Sequence, residues 1–314
     1  MSVATKGLAI PAQQVVKRLV SAVQELYPPA LADSSWDNTG LLLEPLPPLR
    51  FQKPHEAGEV RRAKVLLTID LTTAVVDEAI RKSALMIVTY HPIIFRGLKA
   101  ITQADTQQLS LMRLAQEGIS VYSPHTAVDA QVGGVNDWLV SVIGGAEPVS
   151  SKVIIPNSPT VGTVGMGRVI NMKSQPFSVR KIVENLKAGL GIPYVQVALS
   201  TKHADLDAPV QGVALCAGSG GSVFSKLKPR DKKFVDLWVT GELGHHELLA
   251  AHENGISVVI CGHANSERGF LAQAFKAQLE AQLAKSQAAD AEWATGYDFD
   301  VEVSEADRDF VIVA

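Results

Sequence analysis

Apolar residues along this chain alternate between two periods, and that alternation sets the first expectations. Residues 64–70 (KVLLTID) and 85–90 (LMIVTY) are apolar, β-branched runs of the length of buried strands. Between them, residues 72–83 predict a helix, with Thr72 and Thr73 at its start and Asp77 and Glu78 in its first turns. A helix over 106–116, a stop at Gly118, a strand over 119–122 and a helix over 135–143 follow. Near the N-terminus, Val15, Val16, Leu19, Val20 and Val23 line one face of a helix over 11–25. Further on, residues 178–188 predict a helix and 194–199 a strand. Strands alternating with helices predict an α/β layered fold. The Pro-rich, charged stretch 45–59 reads as a surface loop.

The pattern then echoes itself. In the first half a strand ends at Asp70, a helix follows, and the next strand ends at His91. In the second half the strand 235–240 leads to Glu242, a helix spans 245–254, and the strand 257–261 leads to His263. The acid-to-histidine separation is 21 residues each time, 91 − 70 and 263 − 242. Any two βαβ crossovers have similar lengths, but equal spacing with a histidine at each strand end points to a tandem duplication. The chain is therefore divided into a first α/β subdomain (1–147), a connecting segment with small strands and a helix (148–207) and a second α/β subdomain (208–314).

Composition narrows the function classes. The 314 residues are 46% hydrophobic and 19% charged, with formal net charge −3. That balance argues against nucleic acid as the main ligand, despite a local basic patch at Lys226, Lys228, Arg230, Lys232 and Lys233. No apolar run approaches the ~20 residues of a membrane helix, so no membrane role is expected. The two cysteines, Cys216 and Cys261, lie in apolar runs and read as buried thiols. Without a dense Arg/Ser presequence the default compartment is cytoplasmic, with nuclear and mitochondrial addresses left open. The Gly-rich run 162–167 (GTVGMG) lacks the Lys-Ser/Thr ending of a phosphate loop and reads as tight turns in a small sheet.

Strand ends are where parallel sheets present functional groups, and candidate metal ligands gather there. His91 closes LMIVTY, His125 and Asp129 follow the strand at 119–122, and His263 and Glu267 follow the strand at 257–261. Four residues apart on a helix, His263 and Glu267 would share a face. Imidazole with carboxylate suits Zn, Mn, Fe, Co or Ni, one or two ions per chain, and a carboxylate such as Glu267 can bridge two. The ordinary alternative for each histidine is a hydrogen-bonded structural role. His245 and His246 are adjacent and cannot easily chelate one ion together, while His55, His203 and His252 read as surface or packing residues.

Several blocks carry a resemblance: WDNTGLLLE (36–44), VTYHPIIFRGLKAIT (88–102), YSPHTAVDAQVGGVNDWL (122–139), VTGELGHHELLAA (239–251) and GHANSERGFL (262–271). In these the sequence resembles the Ngg-one-interacting-factor-three-like proteins, whose bacterial members are called GTP cyclohydrolase I type 2 homologues. The resemblance implies two duplicated α/β subdomains with a metal-binding cleft between them, often dinuclear. It implies His91, Asp129, His263 and Glu267 as ligands, Glu267 as the bridge, and a homo-oligomer, hexamer or dimer. Bacterial members carry two histidines where this chain has Tyr90 and His91, as in the eukaryotic-type branch. One metal position, that of Asp129 and Glu267, is then expected to be weaker or empty, since a phenol with pKa near ~10 is a poor ligand. The segment 148–207 is too compact for the inserted domain of some bacterial members.

Two functions follow. One is metal-dependent hydrolysis of a small phosphorylated or heterocyclic compound, with Asp37, His125 or His246 transferring protons. Asp37 is open to two readings, a carboxylate that fixes a ligand histidine or a loop cap. The other is a non-catalytic metal-containing scaffold that binds a transcriptional co-regulator or another protein, a contact implied by the family's name.

Overall fold

The computed structural model describes residues 12–46, 60–157, 162–174, 176–290, 293 and 296–313. Most of the surface loop expected at 45–59, with His55, lies outside the described residues.

Helix α1 (Ala12–Leu26) buries Val15, Val16, Leu19 and Val23, the stripe its spacing predicts. Strand β1 (Gly40–Leu43) precedes the crossover β2 (Arg61–Thr68), α2 (Thr73–Arg81), β3 (Met86–Thr89). The Thr72 side chain caps α2 by accepting from Val75 N, and Asp105 caps α3 (Thr106–Glu117) by accepting from Gln108 N. Gly118 ends α3 as expected and the chain enters β4 (Ser120–Ser123). After the single turn Thr126–Ala130 come α4 (Val135–Gly144), β5 (Ser151–Pro156) and β6 (Gly165–Asn171). Helix α5 (Val179–Leu190), β7 (Gln196–Ala198), β8 (Gly212–Ser219), β9 (Leu237–Glu242), α6 (His245–Glu253) and β10 (Ser257–Ile260) follow. Helix α7 (Asn265–Phe270) continues through a π-helical turn (Leu271–Phe275) into α8 (Lys276–Ala288), and β11 (Tyr297–Val303) ends the regular structure.

These elements make two α/β units. The first comprises Met1–Ala127 and Leu271–Ala314, the second Val128–Phe270. The first unit's sheet has the order β1-β4-β3-β2-β11, parallel except for the edge strand β1. Helices α2 and α3 press Val75, Val76, Ala79, Leu111 and Leu114 onto Leu66, Ile87 and Val121. Each such fully buried Val or Leu side chain stabilises the unit by roughly 1.5–3 kcal/mol. The second sheet has the order β5-β6-β8-β9-β10-β7, with β8, β9 and β10 parallel and the rest antiparallel. One parallel βαβ crossover therefore recurs in each unit, as the 21-residue echo predicts.

The expected boundaries at 147 and 207 shift. Residues 148–207 are not a mere connection: β5, β6 and β7 are strands of the second sheet. Nor does the second unit run to residue 314. Strand β11 pairs with β2 over seven positions, from Tyr297↔Arg61 to Val303↔Leu67, because β2 would otherwise present an unpaired edge. Asp129, expected with the first subdomain, groups with the second unit. The Gly-rich run proves to lead into a strand: a Cβ on Gly165, at φ 149°, would come within 2.0 Å of Ile155 O on the paired strand. Among the described residues, no helix is long and apolar enough to cross a membrane.

A buried carboxylate fixes the returning C-terminal segment. Glu78, on α2 with its side chain 1% exposed, accepts from Lys82 Nζ at 2.8 Å, from Ser304 Oγ, and from the backbone N of Glu305 and Ala306 at 3.1 and 3.0 Å. Asp307 Oδ2 likewise accepts from Ile69 N at 2.7 Å. Burial alone would raise the pKa of Glu78, but the bonds from Lys82, Ser304, Ala306 and Glu305 outweigh it and bring the pKa down to about 2. A folded value below the reference value of 4.5 means that the stabilisation is complete above that pH and lost as pH falls toward 2. Glu78→Gln is expected to lower the unfolding free energy by about 2–4 kcal/mol at pH 7, and by clearly less at pH 3. Urea unfolding at the two pH values checks this; an equal effect at both would contradict it.

Candidate metal centre

Three histidines share one arrangement. In the first unit, His91 follows β3, and its Nδ1 lies 2.9 Å from Asp70 Oδ1 at the exit of β2. His125 follows β4, and its Nδ1 lies 2.6 Å from Asp37 Oδ1. In the second unit, His263 follows β10, with Nδ1 3.1 Å from Glu242 Oε1 at the end of β9. An ionised carboxylate only accepts, so Nδ1 carries the proton that bonds to it and Nε2 is the nitrogen left for another partner. Carboxylates hold metal-binding imidazoles in this way. The acids that hold His91 and His263 are the two that stand 21 residues upstream. That spacing is the signal, although the sequence reading used it for duplication and assigned neither Asp70 nor Glu242 a role at the site.

The remaining described histidines differ. His203 is buried, with Nδ1 2.8 Å from Ser257 Oγ, and His252 Nδ1 donates to Leu199 O at 2.9 Å. His246 is exposed in the first turn of α6, its ring edge-on to His245 at 5.4 Å. The structure does not gather His246 with the acid-held histidines.

Around His125 the first unit is densely bonded. Asp37, its side chain 1% exposed, also accepts from Asn38 N at 2.7 Å and from the N and Oγ1 of Thr126. Burial acts to raise the Asp37 pKa, but the hydrogen bond and charge of His125 and the Thr126 bonds leave it below the usual carboxylate value. His125 has φ 33°, a conformation uncommon for a residue with a side chain. The His91 and His125 rings stand 5.4 Å apart, and the buried Tyr90 ring meets both edge-on, at 5.2 and 5.9 Å. Trp36, half exposed, packs against His125 and Phe95.

In the second unit Glu267 and Asp129 are buried carboxylates, 2% and 8% exposed. Burial, then the charges of Asp129 and Glu267, push the Cys216 thiol up, and burial alone pushes Cys261 up to about 12; both are buried, as their apolar runs predict. His263 Nε2 lies 3.8 Å from Glu267 Oε1. With metal–ligand distances near ~2.1 Å, both atoms can reach one ion. Gly218 keeps that space clear: at φ 64°, a Cβ there would sit 2.7 Å from Glu267 Oε1 and 3.2 Å from His263 Nε2. Two residues that the sequence reading left out frame the pair. Ser266 Oγ accepts from Gly218 N at 2.8 Å and donates to His263 O at 2.7 Å. Asn136, fully buried, donates to Asp129 O and accepts from Ala217 N, both at 3.0 Å. Both lie inside the blocks that carry the resemblance, the only trace they leave in sequence.

Two α/β units with acid-held histidines at equivalent strand exits define a protein of two similar halves whose side chains could hold a metal. A family model for Duf34/NIF3 (NGG1p interacting factor 3) matches residues 14–295, and the chain belongs to that family. It is 46% identical over 300 residues to the NIF3 homolog of Schizosaccharomyces pombe, covering 94% of this chain and 96% of the relative. It is 41% identical to the NGG1-interacting factor 3 of Saccharomyces cerevisiae, covering 84% and 90%. The fold matches a Bacillus cereus protein related to NIF3 with TM-score 0.71 at 21% identity, over 95% of this chain and 98% of that one.

Because Asp37 satisfies several buried donors at once, Asp37→Ala is expected to cost about 1–3 kcal/mol of stability. Denaturant titration would detect it, and a loss below about 0.5 kcal/mol, the range of an ordinary surface substitution, would contradict the bonding described.

Proposed function

We propose that this protein binds divalent metal, one or two ions per chain, with His91, Asp129, His263 and Glu267 as ligands. The observation that carries this reading is the carboxylate-held imidazole repeated at the strand exit of each βαβ crossover. Imidazole with carboxylate favours Zn, Mn, Fe, Co or Ni. When bound, such an ion supplies Lewis acidity and a lowered pKa for water, which suits hydrolysis of a small phosphorylated or heterocyclic compound. In that reaction Asp37 orients His125, and His125 moves the proton at Nε2; His246 is a more remote candidate for the same role. Tyr90 occupies the position where the resemblance expects a second imidazole, and this weakens the metal position of Asp129 and Glu267. We further propose assembly as a homo-oligomer, hexamer or dimer.

Elemental analysis of protein purified without chelator tests the metal. About one or two ions per chain are expected, lost in His263→Ala and Glu267→Ala and reduced in Gly218→Ala, which crowds the ligand atoms. No stoichiometric metal after reconstitution with Mn, Fe, Co and Zn would defeat the reading. Hydrolysis that survives alanine at both His263 and Glu267 would remove catalysis from it.

A second reading is favoured by a relative's name and by this chain's surface. The Saccharomyces cerevisiae relative is called NGG1-interacting factor 3, and here Trp36, Phe95, Leu98 and Ile101 are 42–61% exposed. A metal-containing scaffold that binds a transcriptional co-regulator would use such apolar side chains. Folded Phe95→Asp and Ile101→Asp variants should then lose the partner while keeping their metal.

A further inference from the structure

The first unit carries a cavity of about 410 Å³, within the range of small-ligand pockets. Its lining decides what it can hold. Asp70 is the one carboxylate, and among the described residues no lysine or arginine lines it. Four hydroxyls line it, those of Thr72, Thr73, Thr106 and Ser110, with the amide of Gln107. Ser110 is 3% exposed and lines the cavity. The helix starts at Thr73 and Thr106 lie on the wall, yet the Asp70 carboxylate and the lack of a lining lysine or arginine among the described residues disfavour a free phosphate.

One aromatic ring completes the lining. Phe310 is 80% exposed and belongs to the segment that follows β11. The bonds of Glu78 to residues 304–306 and of Asp307 to Ile69, just past β2, bring the chain back beside the cavity three residues before Phe310. An exposed aromatic face beside a carboxylate, several hydroxyls and an amide matches a ring with apolar C–H faces and hydroxyls around its edge.

We propose that this cavity binds the ring of a neutral sugar, stacked on Phe310, with hydroxyls bonded to Asp70 and Ser110. A free monosaccharide and the sugar of a glycoside or nucleoside share this chemistry. This site goes beyond the metal reading but adjoins it: His91 also lines the cavity and Asp70 holds that imidazole, whereas Phe310 and Ser110 have no part in the metal reading.

Saturation-transfer NMR and calorimetry on chelator-treated protein test it, with glucose, galactose, mannose, ribose, their methyl glycosides, adenosine and inorganic phosphate as probes. At least one ring compound is expected to bind with a Kd of about 1 mM or tighter, and Phe310→Ala and Ser110→Ala should each weaken it about tenfold. Binding by adenosine alone would identify the sugar as that of a nucleoside; binding by free sugars would identify a monosaccharide site. Phe310 is exposed, so its variant retains the fold even if Ser110→Ala does not. No ring compound binding, phosphate binding in their place, or binding unchanged by Phe310→Ala would each overturn the proposal. Metal content, measured separately, is expected to be the same in Phe310→Ala as in the parent.

Discussion

The first unit depends on one buried carboxylate. Glu78 points into the protein from α2 and gathers an ammonium, a hydroxyl and two backbone N–H groups of the C-terminal segment. A lone buried charge would be strongly destabilising, but this one is answered on several sides, and its pKa falls instead of rising. Its counter-ion Lys82 also meets Glu302 on β11 at 2.7 Å. The helix that begins the crossover and the strand that completes the sheet are thereby locked together, and the exits of β2 and β3, where Asp70 and His91 stand, inherit a fixed floor.

On that floor, chemistry is arranged by a repeated rule. Each imidazole at a strand exit is oriented by an acid from a neighbouring exit or loop, so Nδ1 is committed and Nε2 is presented. Neighbouring parallel strands end side by side, and a pair of such ends brings an acid and a histidine within reach without a specialised loop. The helix between them can vary without moving either group. Duplication then preserves the pairing, with aspartate in one unit and glutamate in the other.

Much of this was legible in the sequence, for physical reasons. The crossovers show because buried parallel strands are continuous apolar runs and because Thr72, Asp105 and Gly118 announce helix ends with side-chain and backbone chemistry that is local. His91, His263 and Glu267 show because function sits at strand ends. What did not show is long-range. Nothing in YDFDVEV says that its partner is a strand more than 200 positions earlier, so the C-terminal segment was assigned to the wrong unit. Glu78 looks like an ordinary acid in an early helical turn, and its burial appears only when residues 304–307 arrive. Asn136 and Ser266 bind through backbone groups of distant residues, which no spacing rule encodes.

The discontinuity of the first unit bears on how the molecule is made. Its sheet needs residues 297–303, which leave the ribosome after the whole of Val128–Phe270 has been synthesised. The second unit, drawn from one uninterrupted stretch, can fold during synthesis. The first must wait with the edge of β2 unpaired until the last turns of the chain emerge, so a nascent chain halted before residue 297 holds one finished unit and one open sheet.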